Sequence, residues 1–178
     1  QRGVDRRAAG GIALGGDQPR RFVEPKQPRG FGGGDGLVVH RYASQVLQHG
    51  YRHGDRTLGV MPLYHTMGMH SLLAMHAIGG CFVCQSDWEA GRALELIEAE
   101  RLTSLYLAPT LFHDLVHDPR LAEHDLSSVE AVSYAGAAMT RALVERCTEV
   151  LGPRIFVNPY GSTEIYTFTV HRDQRAKP

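Results

Sequence analysis

The chain has 178 residues, with 19 basic and 19 acidic side chains, 43% hydrophobic and 21% charged. That is enough apolar chain for one domain with a buried core, and zero formal charge argues against a nucleic-acid or anionic-membrane partner. No apolar run approaches the roughly 20 residues of a membrane span, and no apolar h-region opens the chain, so a cytoplasmic protein is expected. The three cysteines, an odd number, make no disulfide framework; Cys81 and Cys84 sit in an apolar stretch and read as small hydrophobes.

Residues 1–36 stand apart. They hold ten of the 20 glycines and a net charge of +3 (seven basic minus four acidic), against −3 (twelve minus fifteen) for residues 37–178. Gly/Arg/Pro bias without periodic apolar spacing is expected of a disordered leader. The alternative is a segment read out of frame, since seventeen arginines against two lysines indicate a GC-rich gene. From Leu37 the pattern changes. Val39, Tyr42, Ala43, Val46 and Leu47 have the spacing of an amphipathic helix. TLGVMP predicts a buried strand ending at Pro62, MGMHSLLAMHAI a helix stopped by Gly79–Gly80, and CFVCQS a strand. WEAGRALELIEAERL predicts a surface helix with Ala90, Leu94 and Ile97 inward. TSLYLAP is a strand, followed by a short helix with Pro109 in its first turn and Pro119 beyond its end. VEAVSYAG, TRALVERCTEVLG and RIFVNPYG continue as strand, helix, strand, and Tyr166–Val170 as a last short strand.

Apolar strands alternating with helices of about 10–15 residues predict an α/β fold, a mostly parallel sheet with helices on both faces. Ligands of such sheets bind beyond the carboxyl ends of the strands. Three segments follow strands there: MPLYHTMG, YAGAAM and NPYGSTE. In the last, Gly161 allows close backbone approach to a ligand, Ser162 and Thr163 offer hydroxyls for phosphate oxygens, Glu164 offers a hard oxygen for Mg²⁺, and Tyr160 offers a flat face for a base. A capped strand-to-turn segment is the plain alternative.

YGSTE, preceded by MPLYHTMG and YAGAAM in that order and spacing, resembles the AMP-forming acyl/aryl-CoA ligases of the adenylate-forming superfamily. The resemblance runs from about Leu37 to His171. PLYHTMG, YAGAAMT and STEIYTFT are most similar to the aryl-acid branch, the benzoate-, chlorobenzoate- and furoate-type ligases. It implies the partial N-terminal domain of an adenylate-forming enzyme over residues 37–178 and a two-step reaction. A carboxylate attacks the α-phosphorus of ATP to give an acyl-adenylate and pyrophosphate, and the thiol of coenzyme A then displaces AMP. By resemblance, Tyr160 and the Gly136–Ala137–Ala138 backbone flank the adenine, with Asn158, Gly161 and Ser162 beside them. Thr163 contacts the α-phosphate and Glu164 holds Mg²⁺. His65 stands at the mouth of an acid pocket lined by Thr66, Met67, Ala135, Gly161 and Ile165; a packed loop histidine is the alternative.

Two departures bear on activity. Where the family carries a phosphate loop of the form TSGTTGxPKG, this chain has PRGFGGGDG, without the hydroxyls and the lysine. It also ends fourteen residues after Glu164, with no counterpart of the family's ribose-binding aspartate or its C-terminal domain with the catalytic lysine. The expectation is a piece of an acid–CoA ligase, inactive as this isolated chain and prone to self-association through exposed sheet edges. A non-catalytic or degenerate adenine-nucleotide-binding module is the other reading. Histidines at 49 and 53 are i, i+4 and suit zinc, but no companion ligands complete a set, so solvated helix histidines are expected. The same holds for His113 and His117, and Cys81–Cys84 lacks the helix and second pair of a redox or zinc motif.

Overall fold

A computed structural model describes residues 12–14, 45–164 and 167–174. The strands are β1 Ile12–Leu14, β2 Arg56–Gly59, β3 Cys81–Cys84, β4 Ser104–Leu107, β5 Ala131–Tyr134, β6 Ile155–Tyr160 and β7 Thr169–His171. Helix α1 occupies residues 45–49, followed by α2 Thr66–Ala77, α3 Ala90–Ala99, α4 Pro109–Val116 and α5 Arg141–Leu151. The sheet runs β1-β3-β2-β4-β5-β6-β7. Pairing is parallel from β1 to β6, and β7 closes antiparallel on β6.

This order contains a reversal. The chain leaves β2 through α2 to reach β3 on one side, then crosses back through α3 to β4 on the other side of β2. Parallel crossovers are right-handed, so a change of direction puts the helices on opposite faces. Leu58, Val83, Leu105, Leu107, Val132, Tyr134 and Phe156 pack with α3, α4 and α5 in one core. Phe82 meets Ala74 and Met75 of α2 and Tyr51 on the other face. The expected α/β architecture with both faces covered is therefore present, and the reversal opens a crevice between β2 and β4 at their carboxyl ends.

Local chemistry sets the helix ends. Thr140 accepts the Leu143 N–H at 3.3 Å to start α5, and Gly152 ends it in the left-handed conformation. Glu89 accepts from the Gly91 and Arg92 N–H groups at the start of α3. Pro109 opens α4, where its missing N–H costs nothing.

Several expectations need correction. Strand β2 ends at Gly59 rather than Pro62; it pairs with β3 only as far as Cys84, and the chain then turns away into the bend at Met61. Ala90 is only half-buried, and α3 instead turns Gly91, Ala93, Leu94, Leu96 and Ile97 inward. The last strand is Thr169–His171; Tyr166 lies outside the described residues. Helix α1 is rotated from its expected face: Leu47 is 71% exposed, whereas Gln45 and His49 are fully buried. The reason is the surface it covers. His49 turns inward to lay its ring against those of Tyr51 and Tyr106. The helix stops at Gly50, leaving His53 exposed and off the helix, so the His49/His53 pair does not exist as a helical i, i+4 pair. Of residues 1–36, Ile12–Leu14 form an edge strand on β3; the rest, with PRGFGGGDG, lies outside the described residues.

Candidate functional site: a cleft at the carboxyl ends of the strands

The three motif segments meet on one rim. MPLYHTMG follows β2, YAGAAM follows β5, and NPYGSTE spans the end of β6 and the turn after it. Together they enclose a cleft of about 420 Å³ lined by His65, Thr66, Met67, Tyr106, Ala135, Gly136, Ala137, Ala138, Asn158, Pro159, Tyr160, Gly161, Ser162 and Thr163. Glu164 follows directly on the exposed turn, and Ile165 lies outside the described residues.

Each wall has a local cause. His65 is the N-cap of α2: its Nδ1 accepts the Met67 N–H at 3.2 Å. Accepting at Nδ1 places the proton of the neutral ring on Nε2. Gly68 seats this first turn, because a Cβ there would lie 2.3 Å from both the Met61 and Pro62 carbonyl oxygens. The helix is pressed onto the preceding loop, and Met67 is buried as a result. On the second wall Gly136 has φ of +89°, open to glycine and strained for other residues. That turn carries Ala137 and Ala138 backbone along the rim, both exposed. On the third wall Tyr160 is 69% exposed at the tip of β6, its ring 6.3 Å from that of Phe168. The Phe168 N–H donates to the Tyr160 carbonyl at 2.7 Å, so β7 holds the aromatic wall in place.

The turn supplies charge. The Ser162 hydroxyl, and then the backbone N–H of Glu164 itself, hold the Glu164 carboxyl below its ordinary value. It is an ionised carboxylate at neutral pH, and Mg²⁺ in nucleotide sites takes one or two carboxylates together with phosphate oxygens. Among the described residues no three His, Cys, Asp or Glu side chains gather into a metal cluster. His113 and His117 are exposed, their rings 4.4 Å apart. Burial raises the Cys81 and Cys84 thiols above their usual value, as suits side chains that pack.

Two cleft residues were missed in the sequence, Tyr106 and Pro159. The signal for Tyr106 was present: SLYL alternates, so Tyr106 faces away from Leu105 and Leu107, and it sits at a strand's carboxyl end. Behind it lies fully buried His49, whose ring meets that of Tyr106 edge-on at 4.6 Å. The Tyr51 hydroxyl is 3.4 Å from His49 Nδ1. Burial pushes the His49 imidazole down to about 3, so it is neutral at working pH.

A family model described as AMP-binding enzyme matches residues 36–178. The chain belongs to the AMP-binding enzyme family. It is 41% identical over 138 residues to a 4-chlorobenzoate–CoA ligase of Pseudomonas sp. (strain CBS-3), covering 72% of this chain and 26% of the relative. It is 32% identical over 149 residues to a 4-chlorobenzoate–CoA ligase of Arthrobacter sp., covering 82% of this chain and 26% of that protein. Among solved structures it is similar to the amide bond synthetase McbA from Marinactinospora thermotolerans, with TM-score 0.67 and 27% identity, covering 75% of this chain and 27% of that one. The chain thus spans about a quarter of the length of the curated relatives it matches. Among the described residues no helix of the chain is long and apolar enough to cross a membrane.

Proposed function

We propose that this chain is the part of an ATP-dependent carboxylic acid–CoA ligase that holds the acyl-adenylate, and that the acid is aromatic or small. The observation that carries the reading is the convergence of three separate motif segments on one cleft. In that cleft Tyr160 stacks on the adenine, with Gly136–Ala138 backbone on the other side and Asn158 beside it. Thr163 and Ser162 face phosphate oxygens, Glu164 would hold Mg²⁺, which would neutralise their charge, and His65, Thr66, Met67 and Ala135 surround the acid. His65, its Nδ1 engaged by the Met67 N–H, keeps Nε2–H as a donor for a carboxylate or acyl oxygen.

The chemistry asks for this arrangement. Bringing an anionic carboxylate to the α-phosphorus of a polyanion is chiefly a matter of positioning and charge neutralisation. The nucleophile forms the acyl–phosphate bond as the bond to pyrophosphate breaks; coenzyme A thiol then forms the thioester and AMP leaves. That two-step sequence belongs to proteins about three times this length, and for this chain we infer binding of AMP and acyl-adenylate without turnover, in the cytoplasm. The test is calorimetry with AMP and a non-hydrolysable benzoyl-adenylate analogue, beside ATP–pyrophosphate exchange with benzoate. Binding without exchange is expected. Exchange by the chain as given, lost in Glu164→Gln, would overturn the inactive reading. No binding of either nucleotide would overturn the adenylate site.

A further inference from the structure

Two histidines take no part in the cleft and are set up as ligands. Helix α4 starts at the carboxyl end of β4 and, as a crossover helix between parallel strands, runs back along the sheet. Its second half, with His113 and the C-cap His117, therefore points toward the amino ends of the strands, away from the cleft. Both side chains are exposed, and i, i+4 spacing puts them on one face of the helix. Their rings lie 4.4 Å apart with a tilt of 30°. The backbone N–H of His117 donates to the Leu115 carbonyl, which leaves the His113 carbonyl to the His117 ring, whose Nδ1 is 2.7 Å away. A carbonyl only accepts, so that Nδ1 carries the proton and the lone pair of the neutral ring is on Nε2. Nδ1 of His113 faces the Asp114 carboxylate at 3.5 Å, which favours the same tautomer, and Asp114 is itself held by Trp88 Nε1 at 3.0 Å. An imidazole with Nδ1–H turned to a carbonyl or carboxylate and Nε2 open is the arrangement of a metal-ligating histidine.

We infer that His113 and His117 form a two-nitrogen chelate for a divalent transition-metal ion of borderline softness, the class of Cu²⁺, Ni²⁺ and Zn²⁺, with water completing its shell. Two Nε2 atoms share one ion when they lie within about 4 Å, twice the ~2.1 Å metal–nitrogen bond. Rings 4.4 Å apart reach that with a small turn of the exposed His113 ring, while the backbone bond holds His117 in place. Charge favours a cation here as well: the Asp114 carboxylate is adjacent, and the helix ends at His117 with the negative pole of its dipole. Among the described residues no three His, Cys, Asp or Glu side chains gather into a closed site, so the ion is held by two protein ligands and stays open to solvent. The inference stands apart from the adenylate reading and does not depend on it.

The experiment is calorimetric titration of the 178-residue chain with Cu²⁺, Zn²⁺ and Mg²⁺ chlorides at neutral pH in a non-chelating buffer. His113→Asn and His117→Asn are titrated beside it, with His53→Asn as the control, an exposed histidine off the helices. The expected result is one site that takes Cu²⁺ more tightly than Zn²⁺, the order for nitrogen ligands, and ignores Mg²⁺, which takes oxygen. Loss of either histidine leaves a single ligand and should weaken Cu²⁺ and Zn²⁺ about a hundredfold, the lower end of the gain from linking two contacts. His53→Asn should change neither. Circular dichroism without metal checks that the variants fold, and asparagine suits a helix end. Paramagnetic resonance of the Cu²⁺ complex should show two nitrogen ligands in the parent and one in each variant of the pair. Affinity that falls twofold or less in either variant, or as much in His53→Asn, would mean independent histidines and overturn the chelate. Mg²⁺ bound as tightly as Zn²⁺, or no binding of Cu²⁺ and Zn²⁺, would overturn it as well.

Discussion

Replacing Gly68 by alanine tests whether the cleft is built by pressing α2 onto its preceding loop. In an open helix the change gains up to about 1 kcal/mol, because alanine loses less backbone entropy. Here the new Cβ would sit 2.3 Å from two backbone oxygens and 2.7 Å from a carbonyl carbon, where contacts under 3.0 Å are essentially never seen. The loop must retreat by about 0.7 Å, the difference between 3.0 and 2.3 Å, and overpacking of this kind costs about 1–3 kcal/mol. The loop also carries His65, so its retreat stretches the 3.2 Å cap bond from Met67. The net expectation is a loss of about 1–2 kcal/mol, a fall in Tm of roughly 2–8 °C for a chain of this size, together with weaker acid binding. Gly91→Ala is the control. It also lies in the first turn of a helix, but its Cβ meets only the Arg120 guanidinium, the mobile tip of a long side chain. Arg120 can swing away by loosening its pairs with Glu89 at 2.8 Å, Asp118 at 3.4 Å and Glu95 at 3.8 Å, and exposed pairs of this kind contribute little. That variant should be nearly neutral. The assay is thermal unfolding of both variants beside the parent. Gly68→Ala at least as stable as the parent would refute the reasoning, since it would show that the loop yields freely.

Two other expectations concern single side chains. Tyr160→Ala should weaken AMP about tenfold, within the ~1–3 kcal/mol typical of base–aromatic stacking; an unchanged calorimetric Kd would remove the stacking role. The second is acid sensitivity. His49 is held at about 3 in the folded chain by burial, against 6.5 for the free side chain, so between those values the unfolded state binds the proton and the folded state does not. Its contribution to stability is full above pH 6.5 and is lost as pH falls toward 3, on the order of 1 kcal/mol per pH unit. Urea unfolding from pH 7 to 4 should show that slope, and His49→Phe should flatten it; an unchanged slope in the variant would place the acid sensitivity elsewhere.

The sequence was most legible where one residue pattern has one physical solution. SLYL and CFVC, short and apolar between breakers, form strands; Pro109 opens a helix and Gly152 closes one. The motif segments came from strand ends plus family resemblance, and the described residues named for the site line the cleft, apart from Glu164 on the turn beside it. Failures arose where the partner surface overrides the pattern. Leu47 looked inward and is exposed; Gln45 and His49 looked solvated and are buried, His49 against the rings of Tyr51 and Tyr106. His65 caps a helix, which the sequence did not announce, since histidine is not among the usual N-cap residues.

By itself the sequence determined the alternation of elements, the parallel sheet and the three segments that bear the chemistry, because these depend on periodicity, breakers and local residue types. The tertiary structure decided the rest: the reversal of strand order between β2 and β4, the meeting of the three segments on one cleft, and the burial of His49 against Tyr106. Those depend on which strands become neighbours and in what register, contacts between residues tens of positions apart, and no local pattern in the chain encodes them.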